Sequence, residues 1–262
     1  MSAVDELLEN VPLPRMARVR QKFPRPRVGD AAAAVQVSLS SLEVFSRLPG
    51  GSRIALAVGS RGIVQLPELV AAAAGFLKDK GFRPFIVPAM GSHGGATAEG
   101  QKDLLAHLGV TEQSAGVPIA SSMAVREIGK SPGFGLPVYV DENALQADAI
   151  VILNRIKPHP AFRATYESGL VKMVAIGLGK QRQAEIVHNL GAERMGEYIE
   201  DLGLAAIGKL PLAAGIAVVE NAYHEIALVE ALPPERIGAR EPSLLEEARR
   251  LSARFIDRKS VV

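Results

Sequence analysis

Cysteine and tryptophan are both absent from this chain of 262 residues, and aromatic side chains make up only 5% of it. Without cysteine there are no disulfides, no thiolate metal ligands and no cysteine nucleophile. Any metal must therefore be held by histidine, by carboxylates or by atoms that a cofactor brings with it. The scarcity of aromatics removes the stacking platforms that hold single-stranded nucleic acids. No excess of one charge exists either: 30 basic side chains stand against 28 acidic ones, a formal net charge of +2. That balance is wrong for a polyanion-binding surface, although it leaves room for a basic cleft holding one small anion.

Long apolar runs are missing as well. AIVIL at 149–153 and LVAAAAGFL at 69–77 fall well short of the roughly 20 residues that a membrane span requires. The N-terminal MSAVDELLENVPLP is acidic and broken by prolines, unlike a secretion signal. The expectation is a cytoplasmic protein that engages neither membrane nor nucleic acid. What remains is a globular composition, 48% hydrophobic and 22% charged. It is long enough for one large α/β domain or for a domain with a smaller partner.

Residues 1–50 mix prolines, basic pairs and an alanine run, and read as an irregular arm packed on the domain, with a strand at Ala34–Val37. From Ser52 the pattern sharpens. SRIALAVGSRG is a short apolar strand ending in glycine, and PELVAAAAGFLKDKG is a helix from Pro67 at its first position to Gly81 at its stop. FRPFIVPAM is a second strand, GSHGG a loop, and TAEGQKDLLAHLG a helix with Thr97 as N-cap and Glu99 and Gln101 in its first turn. REIGKSPGFGLPVYV reads as two strands around a Pro-Gly turn, and ADAIVILNRIKPH as a buried, β-branched strand. Helices follow at about 168–178, 179–190 and 192–208, the last with apolar Met195, Ile199, Leu202 and Ala206 on one face. LAAGIAVVENA is a strand paired with HEIALVEALPP, and PSLLEEARRLSARF closes as an amphipathic helix starting at Pro242 or Ser243. This alternation predicts an α/β fold over 51–262: a Rossmann-like parallel or mixed sheet with helices on both faces.

In open α/β sheets, ligands sit beyond the carboxyl ends of the strands. Three strands here end in loops that join glycine to a cationic or titratable residue: GSRG with Arg61, MGSHGG with His93, and NRIKPH with Arg155, Lys157 and His159. Gly91, Gly94 and Gly95 around His93 let backbone approach a ligand closely, which a merely exposed histidine does not need. Arg61 is either a solvated arginine in a tight turn or, with the amides of the next helix start, a holder of phosphate or carboxylate. The dinucleotide and P-loop fingerprints are absent, as are HExxH, EF-hand and GxSxG patterns. Lys172, inside the apolar SGLVKMVAIGLG, is either a desolvated nucleophile or a lysine snorkelling to water. His188, near the end of the next helix, and His107 both suit the cation position at a helix C-terminus. His107 and His224 read as structural, whereas His188 is also able to ligate a metal.

On GSRG, PAMGSHGGATAEGQ and NRIKPHPAFRATYESGLVKMVAIGLGKQ…H, the chain resembles the lactate racemase family of nickel-pincer enzymes from about Ile54 onward. The resemblance implies a racemase or epimerase of a 2-hydroxy acid. The family's nickel-pincer nucleotide is a pyridinium mononucleotide with two sulfur-containing groups, one joined to a lysine as a thioamide. The matching lysine is Lys172, and Ser60 and Arg61 fall on the cofactor-binding loop. Nickel sits on the pincer's carbon and two sulfurs, and the histidine that completes the planar site corresponds to His188. His93 and His159 match the family's two acid/base histidines. Its partners are then the hydroxy acid and the enzymes that make the cofactor. The chain departs from the lactate racemases in carrying Val58-Gly59-Ser60-Arg61, with no acidic residue ahead of the arginine, and in a longer gap from His159 to Lys172. The family's C-terminal domain is expected to be missing. An alternative class is an anion- or nucleotide-binding domain that keeps the fold without the chemistry, a truncated inactive fragment, or a metal-independent isomerase or lyase using the same histidine pair.

Overall fold

The computed structural model describes residues 7–9, 11–12, 18, 20–60 and 62–254. Its first long element corrects an expectation from sequence: Ala31–Ser40 is a helix, α1, where a strand at Ala34–Val37 was expected in an irregular arm. Local chemistry explains the change. The Asp30 carboxylate caps the helix by accepting from the Ala33 N–H at 2.9 Å. Alanine is the strongest helix former, and Ala31, Val35 and Leu39, spaced by four, form the buried face. That face packs on α2 and β7 defined below.

The chain then alternates as its glycine punctuation predicts. Strand β1 (Arg53–Val58) leads to α2 (Leu66–Asp79), with Pro67 in the first turn. Strand β2 (Arg83–Pro88) leads through the His93 loop to α3 (Ala98–His107), capped by Thr97. An antiparallel pair, β3 (Val125–Lys130) and β4 (Pro137–Asp141), forms a small second sheet. Strand β5 (Ala149–Arg155) returns to the main sheet. Next comes α4, an α-turn at Leu170–Lys172 continued by a π-turn at Met173–Gly177, then α5 (Lys180–Asn189) and α6 (Met195–Ile207). Strands β6 (Leu212–Glu220) and β7 (Ile226–Leu232) precede the last helix, α7 (Pro234–Leu251).

Helix α7 starts earlier than its sequence suggests and carries Pro242 in its interior. Proline at position i cannot donate to the carbonyl at i−4, so the Gly238 carbonyl is left over. The Tyr166 hydroxyl donates to it at 2.7 Å. Satisfying that orphan from outside the helix is what lets the proline sit where a helix start was expected.

The main sheet has the order β2-β1-β5-β6-β7, parallel except for β7. Period-2 alternation divides its side chains between two cores. Ala55, Ala57, Ile150 and Ile152 face α4 to α7, whereas Ile54, Leu56, Val58, Val151 and Leu153 face α1 to α3. All nine residues of β6 are buried, as expected for a strand covered on both faces. The chain leaves β1 towards β2 on one side and β5 towards β6 on the other. The β1/β5 boundary is therefore the topological switch point, where parallel sheets open a crevice at their carboxyl ends. Among the described residues, no helix is long and apolar enough to cross a membrane.

Candidate functional site

A cleft opens at that boundary. Gly59 and Ser60 line it after β1, Ala89, Met90 and His93 after β2, and Asn154 and Arg155 at the end of β5 with Lys157 just beyond. Its remaining wall is α4 and the residues leading into it, including Lys172 and Met173. Five of the residues singled out from sequence thus meet in one place: Ser60, His93, Arg155, Lys157 and Lys172. Arg61 lies outside the described residues.

His93 is tied to β1's loop by a hydrogen bond between its Nδ1 and the Ser60 hydroxyl. Gly91, Gly94 and Gly95 all adopt positive φ, the conformation glycine enters without penalty, so the loop folds tightly under the imidazole. Lys172 is half-buried at the opposite wall. Its Nζ stands 5.5 Å from the centroid of the Phe162 ring, within cation–π range. Burial of the apolar neighbours Val171, Met173 and Val174 explains why the surrounding sequence is so hydrophobic.

His159 is half-buried and does not line this cleft. Its ring stacks on Phe162, the same ring that Lys172 approaches, with centroids 4.2 Å apart. Its backbone N–H donates to Glu167 at 2.6 Å. Glu167 is fully buried and also accepts from the Ala164 N–H at 3.1 Å and from Arg249 at 2.6 Å. Burial alone would raise its carboxyl, but these three donors together hold it below the usual carboxylate range.

His188 is exposed in the last turn of α5 and does not line the cleft. It lies one helical turn past Ala184, whose Cβ would be 3.9 Å from a Cβ built on Gly91. The i, i+4 relation therefore places it on the helix face turned to the His93 loop, further along the axis. His107 Nδ1 donates to the Asp103 carbonyl of its own helix at 2.8 Å, and His224 sits in the β6–β7 turn at φ 57°.

The cleft wall is cationic. Arg155, Lys157 and Lys172 line it with His93, and among the described residues no carboxylate joins them. Glu220 neutralises Arg155 from behind through an ion pair. Such a wall suits a carboxylate or phosphate oxygen.

Sequence reasoning missed the scaffold behind His93. Lys180 is fully buried at a left-handed φ of 53°. Its ammonium donates to the Pro88 carbonyl at the end of β2 and to Gln101 Oε1 at 2.8 Å, and pairs with Asp141 at 3.3 Å. Gln101 in turn donates to the Gly91 carbonyl at 2.8 Å and the His93 carbonyl at 3.3 Å. Burial pushes the Lys180 pKa down and the Asp141 pKa up, each opposed by the other's charge. In sequence, GLGK looks like a solvated helix start; only the packing of α5 under the β2 loop reveals the buried charge. Asn154 was also unmarked, and its amide donates to the Gly169 carbonyl at 2.7 Å.

A family model described as the lactate racemase N-terminal domain matches residues 63–197, half of the chain. Among solved structures, the lactate racemase apoprotein from Thermoanaerobacterium thermosaccharolyticum is similar with a TM-score of 0.57 and 19% sequence identity. The alignment covers 85% of this chain and 56% of that one, so the chain spans little more than half that protein's length. At this identity the likeness is one of fold. No curated protein matches the chain.

Proposed function

Because this chain belongs to the lactate racemase N-terminal domain family, we propose that its cleft binds a 2-hydroxy acid for racemisation or epimerisation. The observation that carries this reading is the convergence of Ser60, His93, Lys157 and Lys172 on one cationic cleft at the sheet's switch point. The cationic wall binds the carboxylate of the acid, with Arg155 and Lys157 as its anchors. The Ser60 bond at Nδ1 holds the His93 ring, so the proton of the substrate hydroxyl is exchanged through Nε2. His159 does not line the cleft but stacks on Phe162, the ring beside Lys172, with its backbone N–H on Glu167; from there it would act as the second acid/base group. Two such groups approaching from different sides suit a reaction that runs equally in both directions.

The residues present fit the nickel-pincer nucleotide in the chemistry of their donors. Lys172 offers an amine at the cleft wall for the thioamide. Ser60, with Arg61 next to it in sequence, would hold the nucleotide, and His188, exposed on α5 outside the cleft lining, would offer a nitrogen ligand to the metal. A chain without cysteine has no thiolate donor of its own. When bound, this group supplies the hydride acceptor.

The test is to coexpress the chain with the cofactor-making enzymes and supply single enantiomers of lactate and larger 2-hydroxy acids. Chiral chromatography should show interconversion, with His93→Ala slowing it at least about 100-fold while nickel content and the mass increment on Lys172 stay unchanged. A loaded chain that converts no 2-hydroxy acid overturns the reading. Carboxylate binding without conversion would mark a domain that binds anions and does no chemistry.

A further inference from the structure

Lys172 sits at the end of a single α-turn that cannot cap itself. The first N–H groups of a helix have no partner within it, and the residue at the cap position is Gly169, which has no side chain to offer. The acceptor comes instead from α7, more than 60 positions away in sequence. Glu241 Oε2 accepts from the Val171 N–H at 2.9 Å, and the Leu170 N–H is directed at the same carboxylate. Glu241 is only 1% exposed and lies under the turn. A Cβ on Gly169 would collide with its Oε1 and would meet Ile156 at 2.8 Å. The missing side chain is thus what admits the carboxylate.

Two further ties connect the same segment to the same helix. The Tyr166 hydroxyl occupies the Gly238 carbonyl that Pro242 leaves unbonded, and Arg249 reaches Glu167. From Tyr166 to Val171 the chain is therefore braced on α7 at three successive points. Glu241 is the one directly beneath the turn that carries the lysine. We propose that Glu241 is a positioning residue for Lys172, its carboxylate holding the first turn of α4 so that the amine is presented at the cleft. The proposal rests on Lys172 being the functional lysine of that cleft.

The charge on Glu241 sets how firmly the turn is held, because a carboxylate accepts amide hydrogen bonds more strongly than a neutral acid does. Burial pushes this carboxyl up to about 7, against the pull of the Val171 and Leu170 amides. Tyr166 faces it, its own phenol raised by burial, by Glu200 on α6 and by Glu241. The hold on Lys172 accordingly tightens as pH rises through neutrality.

Two measurements on the chain as expressed, without cofactor, test this. In 1H–15N spectra the Leu170 and Val171 amides should move together with a midpoint near pH 7, and in Glu241→Gln that movement should vanish. In trace acetylation with acetic anhydride, read by mass spectrometry, the pH profile of Lys172 should carry an inflection at the same midpoint. Glu241→Gln should leave only the lysine's own ionisation in that profile. Amides that do not titrate between pH 5.5 and 8.5 overturn the proposal, as does a Lys172 profile identical in the variant. If Glu241→Gln does not fold, the wild-type amide titration alone decides. Neither readout needs turnover, so failure of the racemase reading would leave these results standing, and the reverse holds too.

Discussion

Lys180 illustrates what a single residue can commit a site to. A fully buried ammonium is tolerated only when its donors are satisfied and a counter-charge is near, and here Pro88, Gln101 and Asp141 supply both. Through Gln101 the same residue reaches the carbonyls of Gly91 and His93, so the geometry of the histidine loop depends on it. Lys180→Met keeps the aliphatic stem and strands the Asp141 carboxylate. It should cost about 3–5 kcal/mol, visible as a lower urea midpoint, and Asp141→Asn in the same chain should recover part of the loss. An unchanged midpoint in the single variant would mean that the pair carries no stability.

At the scale of elements, the cleft is assembled from segments whose ends are fixed by identifiable caps. Helix α3 begins where Thr97 Oγ1 accepts from the Gly100 N–H at 3.0 Å, immediately after the His93 loop. Thr97→Ala should destabilise the chain by about 1 kcal/mol, lowering Tm by about 2–4 °C, whereas Thr97→Ser should be nearly silent. Equal losses in the two variants would point to the methyl group and away from the cap. Helix α4 is different, since its N-terminal acceptor is borrowed from α7, and its π-turn at Met173–Gly177 is the kind of irregularity that helices carry at functional sites.

For the whole molecule, the buried carboxyl of Glu241 links stability to pH with a definite sign. A carboxyl raised from its ordinary value of 4.5 to about 7 binds its proton more tightly folded than unfolded. Its contribution is therefore complete below about pH 4.5 and is lost as pH climbs through about 7. Relative to Glu241→Gln, the wild type should lose about 3 kcal/mol over that window, measured as the difference between urea unfolding curves from pH 4.5 to 8. A constant difference would show that the group does not titrate there. The same scale separates what could be read in the chain from what could not. Glycine and proline punctuation, period-2 strands and the Thr97 cap are local signals, and they sufficed for the α/β class, for most element positions and for the convergence of the Ser60 and His93 loops. Lys172 was visible as a charge set in apolar sequence. Residues 31–40 misled because an alanine run carries no clear period, and Pro242 because its remedy, Tyr166, is 76 positions away. The sequence by itself determined which loops meet at the cleft, since turn chemistry and strand ends are written within a few residues. Only the tertiary structure decided that Lys180 supports His93, that Glu241 supports Lys172, and that His159 and His188 stand outside the cleft lining. Those relations depend on contacts between distant segments, and burial, not residue type, gives each charge its role.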